Sequence, residues 1–77
     1  MNQYTVLIEE HDDSEDAWLP LAPAENVENE GTAEELARWT ADNDTMAAAG
    51  GWRVRVWDGP DADPSAPESA CVNVERF

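Results

Sequence analysis

The stretch that decides the fold is Trp52-Arg53-Val54-Arg55-Val56-Trp57-Asp58. Its side chains alternate in character, so an extended backbone places the two valines with Trp52 on one face and the two arginines with Trp57 on the other. Strict alternation of this kind is typical of a β-strand that rests one face on the core. A strand needs hydrogen-bonded neighbours, which the rest of the chain must supply.

Three other segments predict these neighbouring strands. Tyr4-Thr5-Val6-Leu7-Ile8 is rich in β-branched and aromatic residues, and apolar side chains on both of its faces indicate that both are partly covered. Residues 17–21 predict a hairpin partner for this first strand, confined to the sheet edge because Pro20 has no amide hydrogen. Residues 70–77 predict a last strand, antiparallel to residues 52–58.

A helix is predicted between these strands. Thr32-Ala33-Glu34-Glu35 has the form of a capping box, with Thr at the N-cap and a Glu three residues later. We expect the helix to continue to a residue within 46–49 and to end at Gly50-Gly51. Helical spacing places Leu36 and Trp39 on the buried stripe.

The predicted order is β-β-α-β-β. The fold class is therefore α+β, a single antiparallel sheet with one helix packed on one face. Residues 22–31 are expected to form a loop in which Val27 pairs briefly, and residues 59–69, with their prolines, a flexible loop. Seventy-seven residues make one domain, residues 1–77, too small for a deep enclosed active-site cavity.

The charge is extreme and uneven. Eighteen acidic residues face four arginines and no lysine, which gives a formal net charge of −14. Residues 1–35 carry eleven of the acids and no Lys or Arg, whereas residues 36–77 carry all four Arg. A field of this sign repels nucleic acids and anionic membranes, so we expect direct binding to neither. The expected partner is a protein with a basic surface, and self-repulsion favours a monomer or a weak dimer.

The compartment is predicted from cysteine content and hydropathy. The one cysteine, Cys71, cannot form an internal disulfide, which suits a reducing environment. Residues 1–4 lack the basic and apolar regions of a secretion signal, and no apolar run is long enough to span a membrane. We therefore expect a cytoplasmic protein.

No residue pattern predicts catalysis, so we expect no enzyme activity, no catalytic residue and no cofactor. His11, the one histidine, lies beside Ser14 in an acidic run that indicates a solvated loop. Cys71 has no electropositive surroundings, so we expect its thiol pKa to be raised. No acidic run matches a calcium-binding loop, and no metal site is predicted. Weak divalent-cation binding, with Asp58–Asp63 as its best segment, is kept as an alternative.

Two surfaces are candidate binding sites for a protein partner. The preferred one is the acidic first half, with the residues Glu9, Glu10, Asp12, Asp13, Glu15 and Asp16. The second is the strand face that carries Trp57, Arg53 and Arg55, because aromatic and arginine side chains commonly anchor interfaces. The alternative role for these three residues is structural, with Trp57 stacked on an arginine and the arginines paired to glutamates across strands.

In size, layout and acidity the chain resembles DNA-mimic proteins, the phage- or mobile-element-encoded inhibitors whose carboxylates take the place of phosphates in a DNA-binding groove. This resemblance implies a non-enzymatic protein-interaction domain that presents an acidic surface to a basic protein. The alternative is a small folded domain whose acidity is generic and reflects high salt or genomic composition.

The stretch Trp52-Arg-Val-Arg-Val-Trp57-Asp-Gly59, followed by a loop rich in Ala, Asp and Pro, supports a second resemblance. With the β-β-α-β-β layout and the use of Arg without Lys, the chain is similar to small acidic proteins of unknown function from actinobacteria and their phages or integrating elements. That resemblance implies no particular activity.

Overall fold

The computed structural model describes residues 2–12, 14–21, 23–43 and 51–74. Within these ranges the chain forms five strands and one helix: β1 Asn2–Asp12, β2 Ala17–Pro20, β3 Glu25–Asn29, α1 Ala33–Asn43, β4 Trp52–Asp58 and β5 Ala70–Val74. All strand pairs are antiparallel, and the helix packs on one face of the sheet. The predicted α+β class with a single antiparallel sheet is confirmed.

The long strand β1 organises the sheet. On one side it pairs with β4, and on the other it pairs with β3 along its first half and with β2 along its last residues. β5 extends the sheet beyond β4. The predicted hairpin between the first two strands and the antiparallel pairing of the last strand with residues 52–58 are both confirmed.

The segment 22–31, expected to be a loop, contains the additional strand β3. Val27 lies opposite Tyr4, as the expected brief pairing requires, but the pairing covers all five residues from Glu25 to Asn29. The sequence Glu-Asn-Val-Glu-Asn has little intrinsic strand propensity. β1 begins at Asn2, so its first half offers an open edge, and β3 pairs with that edge.

The core lies between the sheet and α1. Valines of β1 and β4 contact Leu36 and Ala37, and Val54 and Val56 are completely buried. Thr32 is the N-cap as predicted, since the Glu35 amide donates to Thr32 Oγ1 at 3.2 Å, which is the N-cap half of a capping box. The predicted helix end within 46–49 lies outside the described residues.

The prediction that Trp39 belongs to the core is wrong, because its side chain is 62% exposed. The buried stripe of α1 consists of Ala33, Leu36, Ala37 and Ala41. These mostly small side chains let the helix approach β4 and β5 closely, and Trp39 is left on the flank of the helix. Within the described ranges, no helix has the length and hydrophobicity that a bilayer crossing requires.

Candidate functional site

Acidic side chains dominate the described surface. Twelve of them are exposed: Glu10, Glu15, Asp16, Glu25, Glu28, Glu30, Glu34, Glu35, Asp42, Asp58, Asp61 and Asp63. Among the described basic residues, only Arg38 is exposed, whereas Arg53 and Arg55 are half-buried. The folded surface is therefore even more one-sided in charge than the composition.

The turn between β1 and β2 holds the predicted acidic contact residues together. The Ser14 amide and hydroxyl both donate to Asp12 Oδ1, at 3.0 and 2.7 Å. Asp16 has a φ of 51° and pairs with His11 at 3.2 Å. Four of the six predicted contact residues sit at this hairpin tip with exposed or half-exposed side chains: Glu10, Asp12, Glu15 and Asp16. Asp13 lies outside the described residues.

Glu9 requires a correction, because it is 6% exposed and does not belong to the acidic contact surface. It points to the sheet face opposite the helix, where Arg53 Nε donates to Glu9 Oε1 at 2.7 Å and Arg55 Nη1 lies 3.5 Å from the same oxygen. Register explains this placement, since Glu9 pairs directly with Arg53 in the sheet. The predicted cross-strand role for these arginines is confirmed.

Two arginine–tryptophan stacks flank Glu9. The Arg53 guanidinium lies 4.5 Å from the centre of the Trp18 ring, and that of Arg55 lies 4.5 Å from the centre of the Trp57 ring. At these distances the ring face attracts the cation, and attraction is stronger where water is excluded. The sheet face proposed as the second candidate surface is therefore a cluster in which the arginines already pair with Glu9 and with tryptophan rings.

Residues 59–69 lie across this cluster. The Trp57 indole donates to Ala66 O at 2.9 Å, and Arg55 donates to Pro64 O and to Glu68, both at 3.1 Å. Trp57 is 3% exposed as a result. Trp57 therefore does not form part of an open contact face, and Arg53 keeps only a quarter of its side chain exposed.

Thr5 fixes the start of the same segment. Its hydroxyl donates to Gly59 O at 2.8 Å and accepts from the Ala62 amide at 3.0 Å, and Thr5 is 1% exposed. Gly59 adopts a φ of 87°, a left-handed conformation that favours glycine. Asn26 in β3 makes two further hydrogen bonds with Asp61, which link β3 to the segment 59–69.

A second group of exposed acids lies at the far end of β1 from the hairpin tip. It comprises residues of β3, of the segment between β3 and α1, of the helix start and of the β4 end: Glu25, Glu28, Glu30, Glu34, Glu35 and Asp58. The pairing of β3 with the first half of β1 places it there. Sequence reasoning favoured the first half of the chain as one surface, but the fold divides it between the two ends of an 11-residue strand.

The remaining candidate groups offer little chemistry. Although Cys71 is exposed as a residue, desolvation around its sulfur raises the pKa of the thiol, and the Glu68 carboxylate raises it further. This confirms the predicted direction. His11 contacts Asp16 and stands edge-on to the Trp18 ring. In the described residues, no three His, Cys, Asp or Glu side chains are grouped in a way that could hold a metal ion.

Sequence reasoning missed one feature, an apolar groove on the helix side of the sheet. Val6, Ile8 and Val27 lie on its floor, and the exposed Trp39 forms part of its wall. The sequence carried only a weak signal for this groove, since Ala33, Ala37 and Ala41 follow an i, i+4 row that does not include Trp39.

Comparison with known proteins adds no relative. The chain matches no protein-family model, and it has no significant match among curated proteins or solved structures.

Proposed function

We propose that this chain is a non-enzymatic protein-interaction domain that presents an acidic surface to a basic protein. The observation that carries the proposal is the surface itself, with twelve exposed acids in the described ranges against one exposed arginine. The two arginines of β4 offset little of this charge at the surface, because both are half-buried and paired with carboxylates, Arg53 with Glu9 and Arg55 with Glu9 and Glu68.

The finer proposal is that the acidic surface takes the place of DNA on its partner. The long axis of the fold measures 38 Å and the chain carries a net charge of −14. Duplex DNA of that length carries roughly 22 phosphates, from one charge per ~1.7 Å. The charge density of the chain is thus of the same order as that of DNA. A DNA-binding groove on the partner would therefore experience an electrostatic field from this chain similar to that from DNA.

The contact residues proposed first are those of the hairpin tip, Glu10, Asp12, Glu15 and Asp16. Two of them, Asp12 and Asp16, are held by hydrogen bonds within the hairpin, so these two side chains lose little freedom on binding. The acids at the far end of β1 form a second contact region. The long-range field of both regions accelerates association with a basic partner.

The test uses the purified chain and a panel of folded basic DNA-binding proteins, with binding measured as a function of NaCl concentration. We expect dissociation constants to rise steeply with salt and duplex DNA to compete for the bound protein. A triple variant E10Q/E15Q/D16N is expected to weaken binding and to flatten the salt dependence. Leu19→Ala, an exposed residue without charge, serves as the control.

Two results count against the proposal. Affinity that is unchanged between low and high salt excludes an electrostatic partner surface. Binding that is salt-dependent but not displaced by duplex DNA excludes the DNA-mimic role and keeps the more general acidic interaction.

The alternative, in which the acidity is generic and has no binding role, is distinguished from the proposal by melting curves recorded at several salt concentrations. A chain that is acidic only as an adaptation to high salt is expected to be poorly folded at low salt. Cooperative unfolding at low salt, together with partner binding, supports the proposal instead.

A further inference from the structure

The helix covers only part of the sheet. Neighbouring strands lie ~4.8 Å apart, so the four strand positions of this sheet span about 14 Å between their outer axes, whereas one helix with its side chains is about 10 Å wide. α1 packs across β4 and β5. The helix therefore does not fully cover the half of the sheet formed by β1 with β2 and β3.

This half of the sheet is apolar on its helix side. Val6 and Ile8 of β1 and Val27 of β3 face a groove of about 430 Å³, which Leu36 and Trp39 of α1 border on one side and Leu21 on the other. Trp39 is 62% exposed and Leu21 is 40% exposed. Large exposed apolar side chains around one groove are typical of an interaction site.

The groove continues beyond Val27 toward the start of α1. A second space of about 360 Å³ shares Val27, Leu36 and Trp39 with the first and extends to Asn29. Because Asn29 pairs with Asn2 in the sheet, the two spaces together extend over a length equal to that of β1 from Ile8 to Asn2. This distance is about 20 Å at ~3.3 Å per strand residue, which equals about 13 residues of α-helix at 1.5 Å each.

The rim of the groove is acidic. Among its lining residues are Glu25, Glu28 and Glu35, all exposed, and no described Lys or Arg lines it. At its other end the groove reaches Trp52, which pairs in the sheet with the exposed Glu10. The groove thus has an apolar floor with carboxylates along its rim and past one end. This arrangement complements a helix with one apolar face and basic flanks.

We propose that this groove, defined by Val6, Ile8, Leu21, Val27, Leu36 and Trp39, binds an amphipathic basic helix of a partner protein as the second helix on the sheet. The proposal rests on the proposed function and specifies its contact: apolar side chains insert beside Trp39 while Lys or Arg residues pair with the rim glutamates. A second copy of this chain is disfavoured as the occupant, because each copy carries a net charge of −14.

The test uses a synthetic 14-residue peptide of Leu and Lys whose leucines share one helical face. Two matched peptides are a scrambled Leu/Lys sequence without an apolar stripe and the Leu/Glu sequence with the same stripe. Binding to the whole chain is followed by amide and indole NMR shifts. We expect the amphipathic basic peptide to shift Val6, Ile8, Val27 and the Trp39 indole, and to bind at least tenfold more tightly than either control.

Trp39→Ala is expected to weaken this binding at least tenfold, whereas Leu19→Ala is expected to change it less than twofold. Leu19 is a suitable control because it is 46% exposed and lies outside the groove. Since both side chains are exposed, neither variant is expected to unfold the chain.

Four outcomes overturn the inference. If the basic peptide binds but Trp39→Ala has no effect and the shifts are confined to the hairpin tip, the groove is not the site and the proposed function stands. If the Leu/Glu peptide binds equally well, the partner is not selected by charge. If the groove amides shift with chain concentration alone, and Trp39→Ala abolishes this, the occupant is a second copy. Absence of peptide binding also overturns the groove proposal, and the folded-protein panel then decides the proposed function separately.

Discussion

The Glu9 carboxylate and the Arg53 guanidinium form a nearly buried ion pair at 2.7 Å across the central strands of the sheet. Arg55 approaches the same carboxylate oxygen at 3.5 Å and continues the network to Glu68. Two carboxylates, Glu9 and Glu68, therefore balance the two arginines within the cluster. The pairing removes positive charge from the surface and leaves the outer field acidic.

Glu9→Gln is expected to destabilise the fold by about 3 kcal/mol, because it takes the counter-charge from Arg53 in a largely buried cluster and leaves Arg55 with Glu68 alone. Urea unfolding monitored by circular dichroism measures this change. The matched control is Glu10→Gln, the adjacent exposed acid, for which a change within about 0.5 kcal/mol is expected. Equal stability of the two variants contradicts a structural role for the Glu9 network.

Thr5→Val is expected to cost about 1–3 kcal/mol, because it removes both hydrogen bonds of a buried hydroxyl and leaves Gly59 O and the Ala62 amide without that partner. Amide hydrogen exchange at Ala62 is expected to accelerate more than exchange in β4. Thr40→Val is the control, since the Thr40 hydroxyl bonds only locally to Leu36 O within α1. Unchanged exchange at Ala62 refutes the role of Thr5 in fixing residues 59–69.

The Glu68 carboxyl is expected to titrate below its ordinary pKa of 4.5, because its own backbone amide and then the Arg55 guanidinium hydrogen-bond to the charged form. A pKa that is lower in the folded than in the unfolded chain stabilises the fold above pH 4.5, and this contribution is lost as the pH falls through the folded value. NMR titration of the side-chain carboxyl measures the midpoint.

Arg55→Gln is expected to move the Glu68 midpoint part of the way back toward 4.5. Asp63 is the internal control in the same spectra, because its lowered pKa comes from Ser65 and not from an arginine. A Glu68 midpoint that does not move in this variant shows that Arg55 does not stabilise the carboxylate.

Cys71 is expected to react with a disulfide reagent several-fold more slowly than free glutathione at pH 7, although the residue is exposed. Its pKa lies above the ordinary 9.0 because of desolvation and the nearby Glu68, so less thiolate is present. The pH dependence of the reaction rate measures the midpoint, and Glu68→Gln is expected to lower it in part. A rate faster than that of glutathione contradicts the raised thiol pKa of Cys71.

The strands with strong patterns were predictable. β4 alternates over seven residues, and β1 joins β-branched residues to an aromatic one, so local chemistry suffices to identify them. β3 was missed because Glu25–Asn29 has no strand pattern of its own and pairs only where β1 leaves an edge open. The acidic hairpin tip could be predicted as a contact region from composition. The burial of Glu9 could not, because it follows from the strand register that pairs Glu9 with Arg53.

Trp39 was expected in the core and is exposed, whereas Trp57 has the structural role, stacked on an arginine, that was one of its two expected roles. Both were assigned from spacing within one element, but their burial depends on what packs against that element. Residues 59–69 cover Trp57, and the close approach allowed by Ala37 and Ala41 leaves Trp39 outside the helix–sheet contact.

The sequence by itself determined the α+β class, the helix N-cap at Thr32, the main strands and the sign of the surface charge, because each depends on neighbouring residues or on composition. Only the tertiary structure decided which charges remain outside. Glu9, Arg53 and Arg55 meet through strand register across 44 or more residues of chain, and that pairing turns an arginine-bearing face inward. The apolar groove beside Trp39 likewise exists only because one helix is narrower than the sheet it covers.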